Sequence, residues 1–197
     1  MSQAREISKA IRATVLLWVI TAVIYPLVIW LVGQVMFPFQ ANGSMIKNAQ
    51  GNVIGSILIG QPFSSERYFW SRPSAADYST GQGAGLTGVS GASNLAPSNP
   101  ALKERIASDL QKLQQAKIKP TADLVYTSGS GLDPHITIAA ARNQINRIAQ
   151  ARQLSSSQLE SLIDQATEGR FLGIFGEPGV NVVKLNLALD QTKPSQP

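Results

Sequence analysis

The chain has 197 residues, a formal net charge of +5 and no cysteine. Without cysteine it has neither a disulfide framework nor a thiolate metal site, so a folded domain must depend on its apolar core or on partners. Basic residues are dispersed along the chain rather than clustered, which argues against a nucleic-acid partner. The length leaves one domain of ordinary size beyond a membrane anchor.

The first element is an apolar stretch at residues 13–37, ATVLLWVITAVIYPLVIWLVGQVMF, which contains no charged side chain. A helix of this length, rising about 1.5 Å per residue, exceeds the roughly 30 Å hydrocarbon core of a bilayer. A cleavable signal has a shorter apolar region followed by a small-x-small site, whereas the nearest candidate site here has the bulky Phe39. The pattern predicts an uncleaved, single-pass transmembrane helix in contact with the lipid bilayer.

Charge predicts the orientation of this helix. Three basic residues precede it, namely Arg5, Lys9 and Arg12, and only Lys47 follows closely. The positive-inside bias therefore predicts a cytoplasmic N-terminus at residues 1–12, in the inner or plasma membrane of the cell. Residues 38–190 are then expected to form an extracytoplasmic domain, followed by a flexible tail at residues 191–197.

Pro26 lies near the middle of the apolar stretch. Proline removes a backbone donor and bends a helix, and membranes tolerate this when a neighbouring helix satisfies the freed carbonyl. Pro26 is therefore a candidate contact with a partner.

After the span, residues 45–61 predict a hairpin with a turn at residues 48–51 and a longer second strand at residues 52–60. Helical spacing and capping signals then predict three helices. They run from Asn99-Pro100 to near Lys117, over residues 137–152, and from a capping box at residues 157–160 to Gly169. Short strands are predicted at residues 123–127 and 180–190. The fold class is mixed α+β, with about three helices packed on a small sheet.

Between the hairpin and the first of these helices, residues 62–99 are rich in glycine, serine and proline. This segment contains the run Tyr68, Phe69 and Trp70, followed by Arg72. Exposed aromatic and arginine side chains are enriched at binding anchors, so these four residues are candidates for docking onto a partner. An equally weighted alternative is an aromatic core cluster, with Arg72 satisfying local carbonyls.

The turn SGSGLDPHI, residues 128–136, is the second docking candidate, through Ser128 and Asp133. It also contains His135, the only histidine. A Ser-His-Asp triad is compatible with this composition, but triad members come from separate elements, whereas these are crowded into one turn. The pattern favours a hydrogen-bonded structural histidine.

Other chemical signatures are weak. The glycines at residues 81–85 resemble a phosphate loop only in glycine content, and one histidine without cysteine offers no metal-ligand cluster. We therefore predict no catalytic residue and no metal site. A membrane-anchored hydrolase using Asp133 and His135, or an anchored ligand-binding sensor, remains an alternative.

Several motifs together resemble a known family. They are YPL at 25–27, FPFQANGS at 37–44, GSILIGQ at 55–61, YFWSRPSA at 68–75, SGASNLAPSN at 90–99, SGSGLDPHI at 128–136, NQINRIAQAR at 143–152 and GEPGVNVVKLNLALD at 176–190. In this order they resemble the C subunit family, KdpC, of the Kdp-type potassium-transporting P-type ATPase. The likeness covers nearly the whole chain.

The resemblance implies an accessory subunit, not an enzyme by itself. Its partners would be a K+-channel-like subunit and an ATP-hydrolysing P-type subunit, which it would assemble and stabilise. The family is also described as a catalytic chaperone that raises the ATP affinity of the hydrolytic subunit. The chain would have no cofactor of its own, with ATP implied only at the level of the complex. In the family's SGGSN segment, likened to a nucleotide-binding signature, this chain has Ala92 in place of a glycine. With its domain outside the cytoplasm, we expect coupling through the partner subunits rather than contact with ATP.

Overall fold

A computed structural model describes residues 3–48, 50–80 and 88–192. The glycines at residues 81–85 and most of the expected tail lie outside the described residues. The chain divides into two compact units, Met1–Ile54 and Gly55–Pro197. The mixed α+β class predicted from the sequence is confirmed.

The first unit is dominated by one long helix, Gln3–Met36, whose length and mean hydropathy of 2.6 are sufficient to cross a membrane. It consists of α1 (Gln3–Val19), a π-helical turn (Ile20–Ile24) and α2 (Tyr25–Met36). The π turn ends two residues before Pro26. Proline has no N–H and its ring crowds the preceding turn, so widening the helix there accommodates it.

A short helix, α3 (Pro38–Ala41), leads into the predicted hairpin, formed by β1 (Met45–Lys47) and β2 (Val53–Ser56). The prediction that the second strand continues to residue 60 is wrong. Ser56 ends the strand, because its side-chain oxygen accepts from Leu58 N over 3.1 Å and its carbonyl accepts from Ile59 N over 3.3 Å. These bonds turn the chain away from the ladder.

The second unit contains six helices among the residues that the structure describes, besides a 3-10 turn at Asp77–Ser79. The helices are α4 (Pro100–Gln115), α5 (Ala122–Val125), α6 (Ile138–Arg142), α7 (Ile145–Arg152), α8 (Ser156–Ala166) and α9 (Val182–Gln191). The strands are β3 (His135–Ile136), β4 (Thr167–Glu168) and β5 (Gly179–Asn181). They form an antiparallel sheet in the order β3-β5-β4, in which Val180 pairs with both Ile136 and Thr167.

The core lies where α8 packs against α6, α7, α9 and β5. Its fully buried side chains include Ile148, Leu159, Ile163, Val180, Leu185 and Leu189. Asn99 caps α4 by accepting from Ala101 N over 2.9 Å, as the Asn-Pro signal predicts.

The predicted strand at residues 180–190 is wrong, because most of this stretch forms α9. The sequence fits both periods: Val183, Leu185 and Leu189 alternate as in a strand, but Val182, Leu185 and Leu189 also share one helical face. Asn181 favours the helix locally, because it is the N-cap and its side chain accepts a hydrogen bond from Lys184 N over 3.1 Å.

Three further predictions need correction. Residues 123–127 are not a strand; most of them belong to the short helix α5. The predicted helix at residues 137–152 divides into α6 and α7 at a turn in which Gln144 N bonds to Ala141 O. The capping box of α8 is formed by Ser155 and Gln158, and this helix ends at Ala166, before Gly169.

Candidate functional site

Two buried amide side chains hold the aromatic run by its backbone. Asn186 on α9 accepts from Phe69 N over 2.9 Å and donates to Phe69 O over 3.0 Å. Gln144 accepts from Trp70 N over 2.7 Å and donates to Trp70 O over 3.2 Å. Each amide thus replaces the ladder bonds that this irregular segment lacks, and the segment is ordered without belonging to a sheet.

Two arginines cover the same segment from α7. Arg147 lies 4.4 Å from the Trp70 ring centroid and donates to the Tyr68 carbonyl over 2.8 Å. Arg152 lies 4.7 Å from the Tyr68 ring centroid and donates to Asp190 over 2.6 Å. Burial lowers the pKa of Arg147 to about 10, which still leaves it charged near neutrality. Cation–π contacts therefore fix both flanking aromatic rings.

A row of charged groups begins at Arg72 and spans the small sheet from its outer strand β3 to its other outer strand β4. Arg72 Nη1 donates to Asp133 Oδ2 over 2.8 Å, and Asp133 Oδ1 lies 3.3 Å from His135 Nδ1. On its other side, His135 Nε2 lies 2.9 Å from Glu168 Oε2, and Lys184 Nζ donates to Glu168 Oε1 over 2.7 Å. We call these five residues the charged row; carboxylates and cations alternate along it.

The charged row shifts the pKa values of its members. Hydrogen bonding to Asp133 and Glu168 raises the pKa of His135 despite partial burial. Burial alone would raise the pKa of Asp133, but bonds from His135 and the charge of Arg72 outweigh it and lower that pKa. The pKa of Glu168 is likewise lowered, because bonds from Lys184 and His135 outweigh burial. The row therefore favours a protonated His135 between two ionised carboxylates.

This geometry disfavours a hydrolytic role for His135. Both of its ring nitrogens contact carboxylates, so neither is placed to take a proton from a serine. Ser128 is buried, and its side-chain oxygen accepts from Gly131 N over 2.8 Å. Ser130 accepts from Leu132 N over 3.1 Å. These serines shape the turn.

A cleft of about 560 Å³ adjoins Arg72 in the same unit. Aromatic and cationic side chains line it together, among them Phe63, Trp70, Tyr78, Arg105 and Lys112. Tyr78 is buried, its hydroxyl donates to Arg72 O over 2.6 Å, and burial raises its pKa to about 12. Two carboxylates, Asp77 and Asp109, also line the cleft, and Asp109 Oδ2 lies 4.0 Å from Arg105 Nε. The cleft therefore offers an apolar wall beside charges of both signs.

Comparison with known proteins identifies the family. The model of the family described as "KdpC: K+-transporting ATPase, c chain" matches residues 7–191. The chain belongs to the KdpC family. Its relatives include potassium-transporting ATPase KdpC subunit 1 of Nostoc sp., 62% identical over 99% of this chain and 100% of the relative. The KdpC subunit of Synechocystis sp. is 61% identical, covering 92% of this chain and 95% of the relative. The KdpC subunit of Geobacter sulfurreducens is 46% identical over 96% of this chain and its own full length. A KdpC protein is one chain of a potassium-transporting ATPase, so other subunits exist for this chain to meet.

The structure brings together the docking candidates of this KdpC family member. Arg72 and Asp133 from the two candidate segments bond directly, and Ser128 belongs to the same turn as Asp133. Phe69 is fully buried, whereas Tyr68 and Trp70 are half-buried. Burial of Phe69 favours the core-cluster interpretation for that residue. Partner contact by the others, and by Pro26 in the first unit, stays a prediction.

Sequence reasoning did not identify several residues of this KdpC site. It missed the amides Gln144 and Asn186, the cation Arg147 and the pair Glu168 and Lys184. One signal was available: Asn186 interrupts an apolar helical face, and a polar side chain in a buried stripe must have a hydrogen-bond partner. The distant partners of the others left no local signal.

Proposed function

We propose that this chain is a non-catalytic accessory subunit of an ATP-driven potassium importer. It would assemble and stabilise a K+-channel-like subunit and an ATP-hydrolysing subunit. One observation carries the proposal: in this member of a K+-transporting ATPase family, the residues that the structure describes include a single membrane-spanning candidate helix besides a folded domain. One apolar helix supplies no polar path for K+ through hydrocarbon, so the ion pathway belongs to other subunits.

The orientation in this proposal places the N-terminus in the cytoplasm of a cell-membrane protein and the second unit outside. The basic residues before the apolar helix support it through the positive-inside bias. In that arrangement the folded domain and cytoplasmic ATP are on opposite sides of the membrane. The chain acts as a catalytic chaperone by coupling: it stabilises the state of the hydrolytic subunit that binds ATP more tightly.

The test compares the transporter with and without this chain. The subunits are co-expressed, purified through a tag on the hydrolytic subunit, and assayed for K+-dependent ATPase activity over a range of ATP concentrations. We expect deletion of this chain to reduce co-purification of the channel-like subunit and to raise the KM for ATP several-fold. An intact, fully active complex without this chain would contradict the assembly role. An unchanged KM in the residual complex would contradict the chaperone role alone.

Orientation has its own test. Protease added to intact spheroplasts should cleave after Ser44 if the domain is extracytoplasmic, while a tag before Arg5 should stay protected. Protection of the domain, with cleavage only after lysis, would contradict the proposed orientation.

The cleft beside Arg72 favours a second candidate function, an anchored sensor of a small ligand. Its lining of aromatic side chains and charged groups of both signs suits a small ligand with an apolar portion and charged groups. Native mass spectrometry of the purified full chain tests this candidate. A bound molecule that is lost in Arg105→Ala would support a sensor, and a ligand-free spectrum would count against it.

A further inference from the structure

An exposed apolar loop projects from the second unit between β4 and β5. Its large side chains, Phe171, Leu172, Ile174 and Phe175, are 72%, 73%, 71% and 62% exposed. Single exposed apolar residues are ordinary on protein surfaces, but four on one short loop are a candidate interaction site. We call residues 171–175 the apolar loop.

The apolar loop has a defined shape. Phe171 and Phe175 exchange two backbone hydrogen bonds, of 2.8 and 3.0 Å, and Gly173 N bonds to Arg170 O over 3.0 Å. At its base, β4 and β5 pair antiparallel, with Thr167 opposite Val180 in the core. A rigid, pre-shaped element loses little conformational entropy on binding.

One residue of the apolar loop has a strained backbone. Leu172 has a φ of +53°, in the left-handed region that bulky side chains rarely adopt. Gly173, with a φ of +74°, follows it, and Ile174 N closes the turn on Phe171 O over 3.2 Å. Two successive positive φ values are typical of a type I′ turn, so the tight turn itself imposes the strain. The turn thereby fixes the backbone that carries Leu172 and Ile174.

The base of the apolar loop is polar. Arg170 Nη2 lies 3.1 Å from each carboxylate oxygen of Glu177. An apolar centre with a polar rim is the usual arrangement of a protein interface. The chain belongs to a family of subunits of a K+-transporting ATPase, so a membrane-embedded protein partner is at hand.

From these observations we infer that the apolar loop anchors the second unit by inserting into an apolar pocket on a membrane-embedded partner subunit of the ATPase. This inference rests on the proposed assembly role. It identifies the part of the domain that carries the docking energy, since a few large apolar side chains in a desolvated pocket dominate most interfaces.

The first test is the double variant Leu172→Asn/Ile174→Asn in the full chain, co-expressed with the other subunits. We expect co-purification to fall at least ten-fold while the melting temperature of the full chain in detergent does not fall. The matched control is Leu58→Asn/Tyr126→Asn, which replaces side chains that are 60% and 51% exposed elsewhere in the same unit. The control should co-purify as the wild type does.

Wild-type co-purification of the loop variant would overturn the inference while leaving the proposed function intact. If the wild-type chain itself fails to co-purify, both are overturned.

The second test does not rely on a variant that loses binding. A photo-crosslinking residue, p-benzoylphenylalanine, is placed at position 174 in the assembled complex in nanodiscs. We expect illumination to link this chain to a partner subunit, and the same residue at position 58 to give no such product. Crosslinks to phospholipid alone, or to nothing, would overturn the inference; the first of these results would identify the membrane surface as the receptor.

Discussion

Arg72 donates a 2.8 Å hydrogen bond to Asp133 and so joins the aromatic segment to the turn before β3. Both side chains are partly buried, at 23% and 30% exposure. The two docking segments expected from the sequence therefore form one surface, and the Arg72–Asp133 pair is also a structural tie across the domain.

Removing Arg72 tests this tie. Because Arg72→Ala removes one of the two cations that contact the partly buried Asp133, we expect a loss of about 1–3 kcal/mol in the free energy of unfolding, measured by urea titration of the full chain in detergent. In a double-mutant cycle, Asp133→Ala should cost about 0.5–3 kcal/mol less in the Arg72→Ala background than in the wild type. The remaining cost comes from the bonds between Asp133 and His135. The control Arg142→Ala breaks an exposed pair with Glu160 and should cost below about 1 kcal/mol.

The same variant separates the two interpretations of the aromatic segment. If Arg72 or Trp70 docks on a partner, Arg72→Ala and Trp70→Ala should each reduce co-purification of the other subunits. Intact co-purification, together with earlier melting of the chain, would instead show that the segment acts only within the core.

The charged row makes stability depend on pH in two directions. The raised pKa of His135 gives a contribution that is complete below the unfolded value of about 6.5 and is lost as pH rises through the folded pKa. The lowered pKa values of Asp133 and Glu168 give contributions complete above about 4.3 and lost as pH falls through their folded values. We therefore expect the melting temperature to be highest between about pH 5 and 6.

In His135→Gln, the decline in melting temperature above pH 6 should flatten. The acid limb should shrink without vanishing, because Arg72 and Lys184 still lower the pKa values of Asp133 and Glu168. Arg142→Ala, whose change lies outside the charged row, should keep both limbs. An unchanged alkaline limb in His135→Gln would contradict the assigned role of this histidine.

Substitution of either buried amide, Asn186 or Gln144, should reduce the stability of the domain more than most other substitutions do. Asn186→Ala leaves the N–H and C=O of the buried Phe69 without partners, and two unsatisfied groups cost about 2–6 kcal/mol. Gln144→Ala should behave similarly at Trp70. Thermal unfolding of the full chain measures both, with the exposed amide variant Gln165→Ala as the control. If these variants lose no more stability than Gln165→Ala does, water has replaced the hydrogen bonds of the two amides.

Backbone strain in the apolar loop predicts a stabilising substitution. Asparagine tolerates the left-handed region better than leucine, so Leu172→Asn should raise the free energy of unfolding by up to about 1 kcal/mol. Gly173 has a φ of +74° and open space around the position of an added Cβ. Gly173→Ala should therefore lower stability by about 1 kcal/mol through backbone conformation alone. Opposite signs in a denaturant titration would contradict this assignment of strain.

Pro26 permits a test within the first unit. Pro26→Ala restores the backbone donor, which should favour regular α-helix over the π turn and alter any surface shaped for a neighbouring helix. We expect subunit co-purification to fall by about three- to ten-fold. A change of this size is what the loss of one typical interhelical packing contact would produce. The fraction of the chain in the membrane should not change. Wild-type co-purification would show that no partner contacts the helix at this position.

Local signals in the sequence predicted several elements correctly. The apolar helix, the Asn99-Pro100 start of α4 and the hairpin around residues 48–51 each depend on neighbouring residues: continuous hydropathy, a cap beside a proline, and a turn between short strands. The error at residues 180–190 has a physical cause. An apolar run that satisfies both the strand period and the helix period is compatible with either element. Packing against α8, a contact that the local sequence does not reveal, accompanies the helix here.

Consecutive residues were sufficient to predict a membrane-spanning candidate helix, a mixed α+β domain and the motifs of the family, because hydropathy, caps and motif order are local properties. The side chains that form the site are brought together by tertiary packing. Arg72 and Asp133 are 61 positions apart, and Phe69 and Asn186 are 117 apart. Such pairs form because folding a shared apolar core brings distant segments together, and each polar group buried in the process must then find a partner.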